Sequence, residues 1–363
     1  MKKKIKVGIL FGGKSAEHEV SLQSAKNVFD AIDKNKYEVA LIGIDKTGKW
    51  LLSNKSQFLL NTNNPKLIRI NKTGEKNVAL VPQSGGKLTN FSDQSSTSSV
   101  DVVFPILHGP FGEDGTVQGL LKLAGIPFVG ASVLGSAVGM DKDVMKRLLR
   151  DANIPIADFI TFKQEDKIDF KVVSKKLKLP FFVKPANLGS SVGINKVTNK
   201  SAFLKAIREA FQYDTKIIIE EYIRGRELEC SVLGNQNPIA SGVGEVIPHR
   251  DFYSYEAKYI DENGATLEIP AKIKPQIVKN VQELAIKTFK TLSCEGLGRV
   301  DLFLKDNGKL IVNEINTIPG FTKISMYPRL WEASGISYKN LIDRLISLAI
   351  ERFKQEQKLK TSH

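Results

Sequence analysis

The stretch Gly298-Arg-Val-Asp-Leu-Phe-Leu-Lys-Asp-Asn-Gly-Lys-Leu-Ile-Val-Asn-Glu-Ile-Asn316 reads as two β-strands joined by a tight turn. Asn-Gly at 307–308 suits a two-residue hairpin turn, whose central residues both need positive φ. That turn sets a register: Asp306 opposite Lys309, Phe303 opposite Val312, Asp301 opposite Glu314 and Arg299 opposite Asn316. Side chains alternate along a strand, so Arg299, Asp301, Glu314 and Asn316 share one face. Val300, Leu302, Leu304, Ile311 and Ile315 are left for a core face. Two carboxylates directly opposed across strands repel, and a divalent cation between them removes the conflict. Asp, Glu and Asn offer hard oxygen ligands that suit Mg²⁺, which keeps room for phosphate oxygens. Arg299 adds a second positive group for developing negative charge. The competing reading of the same residues is an exposed sheet face with unrelated charges.

A second segment points to phosphate. Phe181-Phe-Val-Lys184-Pro-Ala-Asn-Leu-Gly189-Ser-Ser191-Val-Gly193 is a strand, a lysine, then a loop of small residues. Glycines let backbone N–H groups approach phosphate oxygens, Ser191 adds a hydroxyl and Lys184 adds charge. An ordinary hairpin loop is the alternative. Further on, Ile217-Ile-Ile-Glu220-Glu221-Tyr222-Ile223 reads as a strand entering a linker that can offer backbone groups to adenine, with Glu227 available for ribose hydroxyls.

One nucleotide formula is matched but rejected. Gly8-Ile-Leu-Phe-Gly-Gly-Lys-Ser15 fits G-x-x-x-x-G-K-[ST]. In a P-loop the residues after the first glycine wrap phosphate; here they are Ile9, Leu10 and Phe11, which continue an apolar strand. No G-x-G-x-x-G is present either.

Around these segments the chain alternates. Residues 5–11 are strand-like, Val20–Ile32 is an amphipathic helix, and Val39–Ile44 and Val100–Leu107 are strands. A short helix follows Gly115, and Ile126–Val129 returns as a strand, the pattern of a parallel α/β unit. Residues 84–99, rich in Gly, Ser, Thr and Asn, read as an exposed loop. Asp143–Asp151 and Ser201–Phe211 are helical, and the strands beyond 216 form an antiparallel set flanked by helices Lys274–Leu292 and Tyr338–Phe353.

Composition excludes several classes. At 363 residues the chain is long enough for two or three domains. No apolar run reaches the roughly 20 residues that span a bilayer, and the apolar stretch after Met1-Lys-Lys-Lys contains Lys6 and ends in Gly12-Gly13 without a cleavage pattern. Cys230 and Cys294 belong to no CxxC pair, which argues against zinc ribbons and disulfide scaffolds and for a reducing cytoplasm. The net charge of +14 comes from lysines spread along the whole chain, a solvated surface and not a nucleic-acid patch.

Taken together, these pieces resemble the D-alanine–D-alanine ligase family of the ATP-grasp superfamily. The resemblance runs from Gly12-Gly-Lys-Ser-Ala-Glu17-His-Glu-Val-Ser21 to Asn316-Thr-Ile-Pro-Gly320. Between them lie His108-Gly-Pro-Phe-Gly-Glu-Asp-Gly115, Met140-Asp-Lys142, the Lys184 loop, Tyr255-Glu-Ala-Lys258-Tyr259 and Gly298-Arg-Val-Asp301. It implies an α/β fold, α+β in its C-terminal part, with a three-domain ATP-grasp architecture. The expected divisions are 1–132, an N-terminal Rossmann-like parallel α/β domain, 133–216, a central subdomain, and 217–363, a C-terminal subdomain with a lid at about 244–264. It implies ATP-dependent joining of two D-alanine molecules through a D-alanyl phosphate, for peptidoglycan precursors. By the same resemblance Lys142, Lys184, Ser191 and Lys258 contact ATP phosphates, Glu220, Glu221, Tyr222 and Ile223 hold adenine, and Glu227 holds ribose. Asp301, Glu314 and Asn316 hold magnesium, two ions, with manganese as a substitute. Arg299 and the backbone of Gly320 stabilise the oxyanion. Glu17 pairs with the ammonium of the first D-alanine, near His108, and Ser325 and Met326 hold the second. Glu17, Ser190 and Tyr259 form a hydrogen-bonded chain to the lid. Tyr259 speaks for the dipeptide product over a D-alanyl-D-lactate ester, the nearest rival; a non-catalytic nucleotide-binding protein is the more distant one. The resemblance also implies a homodimer in the cytoplasm, with no membrane or nucleic-acid partner.

Overall fold

The computed structural model describes residues 3–53, 57–64, 67–73, 76–190, 192–249 and 264–360. The chain opens with β1 (Ile5–Gly12), α1 (His18–Ala31), β2 (Tyr37–Ile44) and β3 (Trp50–Ser53). A short pair, β4 (Leu59–Leu60) and β5 (Arg69–Ile70), precedes β6 (Lys76–Leu80), β7 (Lys87–Asn90), β8 (Ser96–Ser99), β9 (Val102–Ile106) and α2 (Thr116–Leu123). Seven of these strands form one sheet in the order β8-β7-β6-β3-β2-β1-β9. Its β2-β1-β9 end is parallel, as the strand–helix alternation predicts, and the rest is antiparallel.

The antiparallel extension corrects one expectation. Residues 84–99 are not an open loop: they hold β7 and β8, and Leu88 is buried. Their polar composition masks strands that exist because a neighbour pairs with them, a tertiary effect that local propensity does not carry.

Next come α3 (Val133–Met140) and α4 (Lys142–Asp151). Asp141 caps α4, its carboxylate accepting the N–H groups of Asp143 (3.0 Å) and Val144 (3.1 Å), which satisfies two otherwise orphaned donors. A second sheet follows, from β10 (Phe159–Lys163), β11 (Phe181–Pro185), β12 (Asn195–Val197) and β13 (Lys216–Glu221), in the order β10-β13-β11-β12. Helices α5 (Phe170–Leu177) and α6 (Lys200–Ala210) cover it, burying Val173, Leu177 and Phe203 against Phe181, Val183 and Ile219.

The third sheet is antiparallel throughout, in the order β16-β15-β14-β17-β18. Its strands are β14 (Arg226–Gly234), β15 (Ile239–Pro248), β16 (Ala265–Glu268), β17 (Gly296–Leu304) and β18 (Leu310–Asn316), with α7 (Pro275–Thr291) between β16 and β17. Val281, Ala285 and Phe289 of α7 and Met145 and Leu149 of α4 share one core with Leu228, Val300 and Leu302. Two more helices end the fold, α8 (Met326–Ala333) and α9 (Tyr338–Glu356). The apolar stripe of α9, with Leu341, Ile342, Leu345 and Ile346, packs back into the core of the first sheet with Val7, Ile9 and Phe104. Among the described residues no helix is long and apolar enough to cross a membrane.

Candidate active site

The hairpin of β17 and β18 builds the floor of the site, and it reaches the expected pairing by an unexpected route. Lys305 N donates to Lys309 O (3.0 Å) and Gly308, at φ +81°, donates to Lys305 O (2.8 Å). The connection is therefore the three-residue loop 306–308, with a positive-φ glycine at its end, and Asp306 does not face Lys309. Next to it Leu304 pairs with Leu310 and Phe303 with Ile311, so the expected Phe303–Val312 pair is also corrected. A bulge at Asn313 then inserts one extra residue, and beyond it Asp301 pairs with Glu314 and Arg299 with Asn316 as anticipated. The turn and the bulge shift the register in opposite senses and cancel. Because a one-residue shift exchanges faces, Val312 goes to the core, while Ile311 joins Phe303, Ala157 and Ile223 in a small apolar cluster on the site side.

On the polar face Arg299 forks onto Asp301, with Nε to Oδ1 and Nη2 to Oδ2 both at 2.7 Å. Asn316 Nδ2 donates to Asp301 Oδ2 (3.0 Å), and Arg299 Nε also lies 2.9 Å from Glu229 Oε2. Glu229 pairs with Asp301 from β14, so Glu229, Asp301 and Glu314 stand in a row across three strands. Glu229 was missed from sequence, although its alternation with buried Leu228 and Cys230 puts it on this face. Lys142, in the first turn of α4, brings Nζ to 3.6 Å from Glu314 Oε2 and donates to Leu188 O (2.7 Å). The oxygen-rich donor set fits a hard divalent cation.

Beside this face, Lys184 of β11 donates to Glu220 Oε2 on β13 (2.6 Å), and Lys146 of α4 holds the other oxygen, Oε1. Burial alone would raise the Glu220 pKa, but the two ammonium groups prevail and hold it down to about 2. Both its oxygens are occupied by lysines. Glu221 turns its carboxylate to the backbone N–H of Asp158 (3.0 Å), so neither glutamate presents a free side chain to a nucleotide. Tyr222 packs on Phe182, with Lys196 Nζ 4.7 Å above its ring, and Ile223 is buried. Glu227 lines the cleft and pairs with Phe303 across the strands.

The opposite wall comes from the first sheet. β1 leads to α1 through Gly12 at φ +92°, where a Cβ would stand 2.2 Å from Ile44 O, so only glycine fits. This turn sets Glu17 at the N-terminus of α1, and Ser190 donates to Glu17 Oε1. His108 Nδ1 lies 2.9 Å from Ile318 O, and Glu113 accepts the N–H groups of Ile318 and Gly109 at 2.9 Å each. The N–H and the C=O of Ile318, two residues before Gly320, are thereby both engaged. Burial, reinforced by the nearby Glu17 charge, pushes the Glu113 carboxyl up to about 8 against those two backbone donors. Burial also holds the His108 imidazole below its usual range, against the pull of Glu17. Glu113 was not singled out from sequence, although it lies inside the 108–115 segment. Ser325 Oγ accepts from Thr322 N (3.1 Å), and Met326 begins α8 with its side chain buried against Val246.

The hairpin face and the wall from the first sheet enclose one cleft of about 430 Å³, which brings Glu17, His108, Ser190, Glu227, Arg299, Asp301, Glu314, Asn316, Gly320, Ser325 and Met326 together; Lys142, Lys184 and Glu220 to Ile223 are not among its lining residues. Lys14 lies elsewhere, in an apolar recess with Trp50 and Phe111, and Ile9, Leu10 and Phe11 are fully buried in β1. Ser191, Lys258 and Tyr259 lie outside the described residues, as does most of the expected lid; its flanks are paired, Glu245 with Glu268 and Pro248 with Ala265.

Known proteins resemble this chain over nearly its whole length. A family model for the D-Ala-D-Ala ligase N-terminus matches residues 6–131, and one for the D-Ala-D-Ala ligase C-terminus matches residues 148–347. The chain belongs to the D-alanine–D-alanine ligase family. Within the family, the D-alanine–D-alanine ligase of Oceanobacillus iheyensis is 57% identical over 364 residues, covering 99% of each chain. The solved D-alanine–D-alanine ligase of Coxiella burnetii is 40% identical with a TM-score of 0.86, over 98% of this chain and 96% of that one. The VanG D-Ala:D-Ser ligase of Enterococcus faecalis is 37% identical with a TM-score of 0.84, over 96% of this chain and all of that one. The mixed α/β fold of this chain, with its partly parallel first sheet, agrees with the ATP-grasp architecture that the sequence implies.

Proposed function

We infer that this chain uses ATP to join two D-alanine molecules into D-alanyl-D-alanine, releasing ADP and phosphate, for peptidoglycan precursor synthesis. The observation that carries the reading is the convergence of Arg299, Asp301, Glu314 and Asn316 on one sheet face of a cleft that also holds Glu17, with Lys142 of α4 3.6 Å from Glu314. A carboxylate is a poor electrophile. Phosphoryl transfer makes it a mixed anhydride whose leaving group is phosphate, and that transfer is catalysed by positioning and charge neutralisation. In this reading Lys142 and Lys184, with Ser191 and Lys258, neutralise the ATP phosphates. Asp301, Glu314 and Asn316 would hold magnesium, two ions, with manganese as a substitute, which would supply positive charge to offset that of the transferred phosphoryl group. The linker from Glu220 to Ile223 serves adenine through its backbone, and Glu227 serves ribose. Arg299 and the Gly320 N–H stabilise the oxyanion when the amine attacks the acyl phosphate. Glu17 takes the ammonium of the first D-alanine beside His108, and Ser325 and Met326 seat the second. A lid at about 244–264, carrying Tyr259, excludes water from the anhydride.

The same reading divides the protein at 132 and 216 and makes it a cytoplasmic homodimer without nucleic-acid or membrane partners. The test is ATP-dependent phosphate release at neutral pH with D-alanine, L-alanine and D-lactate in turn, with product analysis when D-alanine and D-lactate are both present. Release with D-alanine alone and a dipeptide product are expected. A wild-type enzyme that makes mainly the D-alanyl-D-lactate ester would overturn the assignment of the product.

A further inference from the structure

Lys146 has a role that this chemistry does not name. It lies one turn after Lys142 on α4, in the same buried stripe as Met145 and Leu149, and is 1% exposed. A buried ammonium is costly unless it is paired and hydrogen-bonded, and a methionine would fill that stripe at lower cost. Its partners explain why a charge is there. Lys146 Nζ contacts Glu220 Oε1, whose companion oxygen holds Lys184, and it also donates to the backbone oxygen of Asn313 (3.2 Å). Asn313 is the bulge residue of β18, next to Glu314.

That second contact matters because of the register. If the pairing of the outer hairpin ran on without the bulge, Asn313 would face Asp301 and Glu314 would turn to the core side with Val300. One ammonium therefore touches the backbone that sets the facing of Glu314 and the carboxylate that seats Lys184.

We propose that Lys146 is a positioning residue: it holds the Asn313 bulge, and so the facing of Glu314 toward Asp301, while fixing Glu220 beneath Lys184. The proposal rests on the reading of Asp301, Glu314 and Asn316 as the metal site. Substituting Lys146 alone strands part of the Glu220 charge, so the comparison is Glu220→Gln against the paired Lys146→Met/Glu220→Gln protein. Both lack the Glu220 charge and differ only at residue 146. Amide hydrogen exchange of the metal-free proteins at residues 312–316 and the Mg²⁺ concentration for half-maximal turnover are measured for each, with KM for D-alanine as the control.

The paired variant is expected to exchange at least about tenfold faster over 312–316 and to need about tenfold more Mg²⁺, with KM for D-alanine within about twofold. Equal exchange and equal Mg²⁺ dependence in the two proteins overturn the proposal. So does a paired variant that fails to fold while Glu220→Gln folds, because Lys146 is then a core requirement. Glu314→Gln separates the two readings. If it keeps near-normal turnover, the metal-site reading falls; if it is inactive while the paired variant keeps the Mg²⁺ dependence of Glu220→Gln, only the role of Lys146 falls.

Discussion

The Gly8–Ser15 stretch and the 298–316 hairpin make opposite claims on a nucleotide. The first satisfies a phosphate-loop formula letter by letter, yet its Ile9, Leu10 and Phe11 are sealed inside the first sheet and Lys14 points to an apolar recess. The second satisfies no formula, yet its pairing sets two carboxylates, an arginine and an asparagine on one face of the cleft. A formula records which residues occur; what binds phosphate is which atoms are left exposed and where the register aims them. Three experiments press on this contrast.

The largest effect is expected from Glu314→Gln. It keeps the shape, removes the charge opposite Asp301 and leaves Lys142 without its carboxylate neighbour. Turnover is expected to fall by about 10³-fold, roughly 4 kcal/mol of barrier, with the cooperative thermal transition retained. ADP release at saturating ATP and ordinary magnesium measures it, and a near-normal rate would take the hairpin out of the active site.

Acid titration probes the charge beneath the cleft. The Glu220 pKa is lowered in the fold from 4.5 to about 2, against its own burial and by Lys146 and Lys184. The stability it contributes is fully present above its unfolded value and is lost as pH falls through the folded one. That loss, about 3 kcal/mol, belongs to the window between about pH 4.5 and 2. Denaturant unfolding across that window should show a steeper loss in the wild type than in Glu220→Gln. Parallel curves would mean that the three charges are not coupled.

The smallest effect is expected from Lys14→Ala. Turnover and KM for ATP should stay within about twofold and stability within about 0.5 kcal/mol, as for most surface substitutions. Loss of ATP binding in this variant would reverse the comparison and restore the phosphate-loop reading.

Much of the site could be read in advance because its partners lie close in sequence or alternate with period two. Asp301 and Glu314 sit on one hairpin, and their pairing survived two misreadings, the turn and the bulge, that happened to cancel. The bulge itself could not be foreseen, since what touches Asn313 is Lys146, far away in the chain. Lys146 was legible only as an anomaly, a lysine within an apolar helical stripe. Glu220 lies on a strand, β13, as its apolar run Ile217–Ile219 suggests, but its carboxylate is consumed by two lysines that only the packing of α4 on β13 brings near. The strands β7 and β8 escaped notice because Ser, Thr and Asn dominate them and their order comes from a pairing neighbour.

The return of α9 to the first sheet has a consequence for how the protein is made. Val7, Ile9 and Phe104 rest against Leu341, Leu345 and Ile346, yet β1 ends at Gly12 and α9 begins at Tyr338. At ribosomal speeds of about 5–20 residues per second, the roughly 300 residues between them take some 15–60 s to emerge. Throughout that time the apolar face that α1 covers through Leu22, Ala25 and Val28 lacks its α9 neighbours, and closing so long a loop adds to the entropic cost of docking the helix. The nascent chain therefore carries an incomplete layer until α9 has left the ribosome.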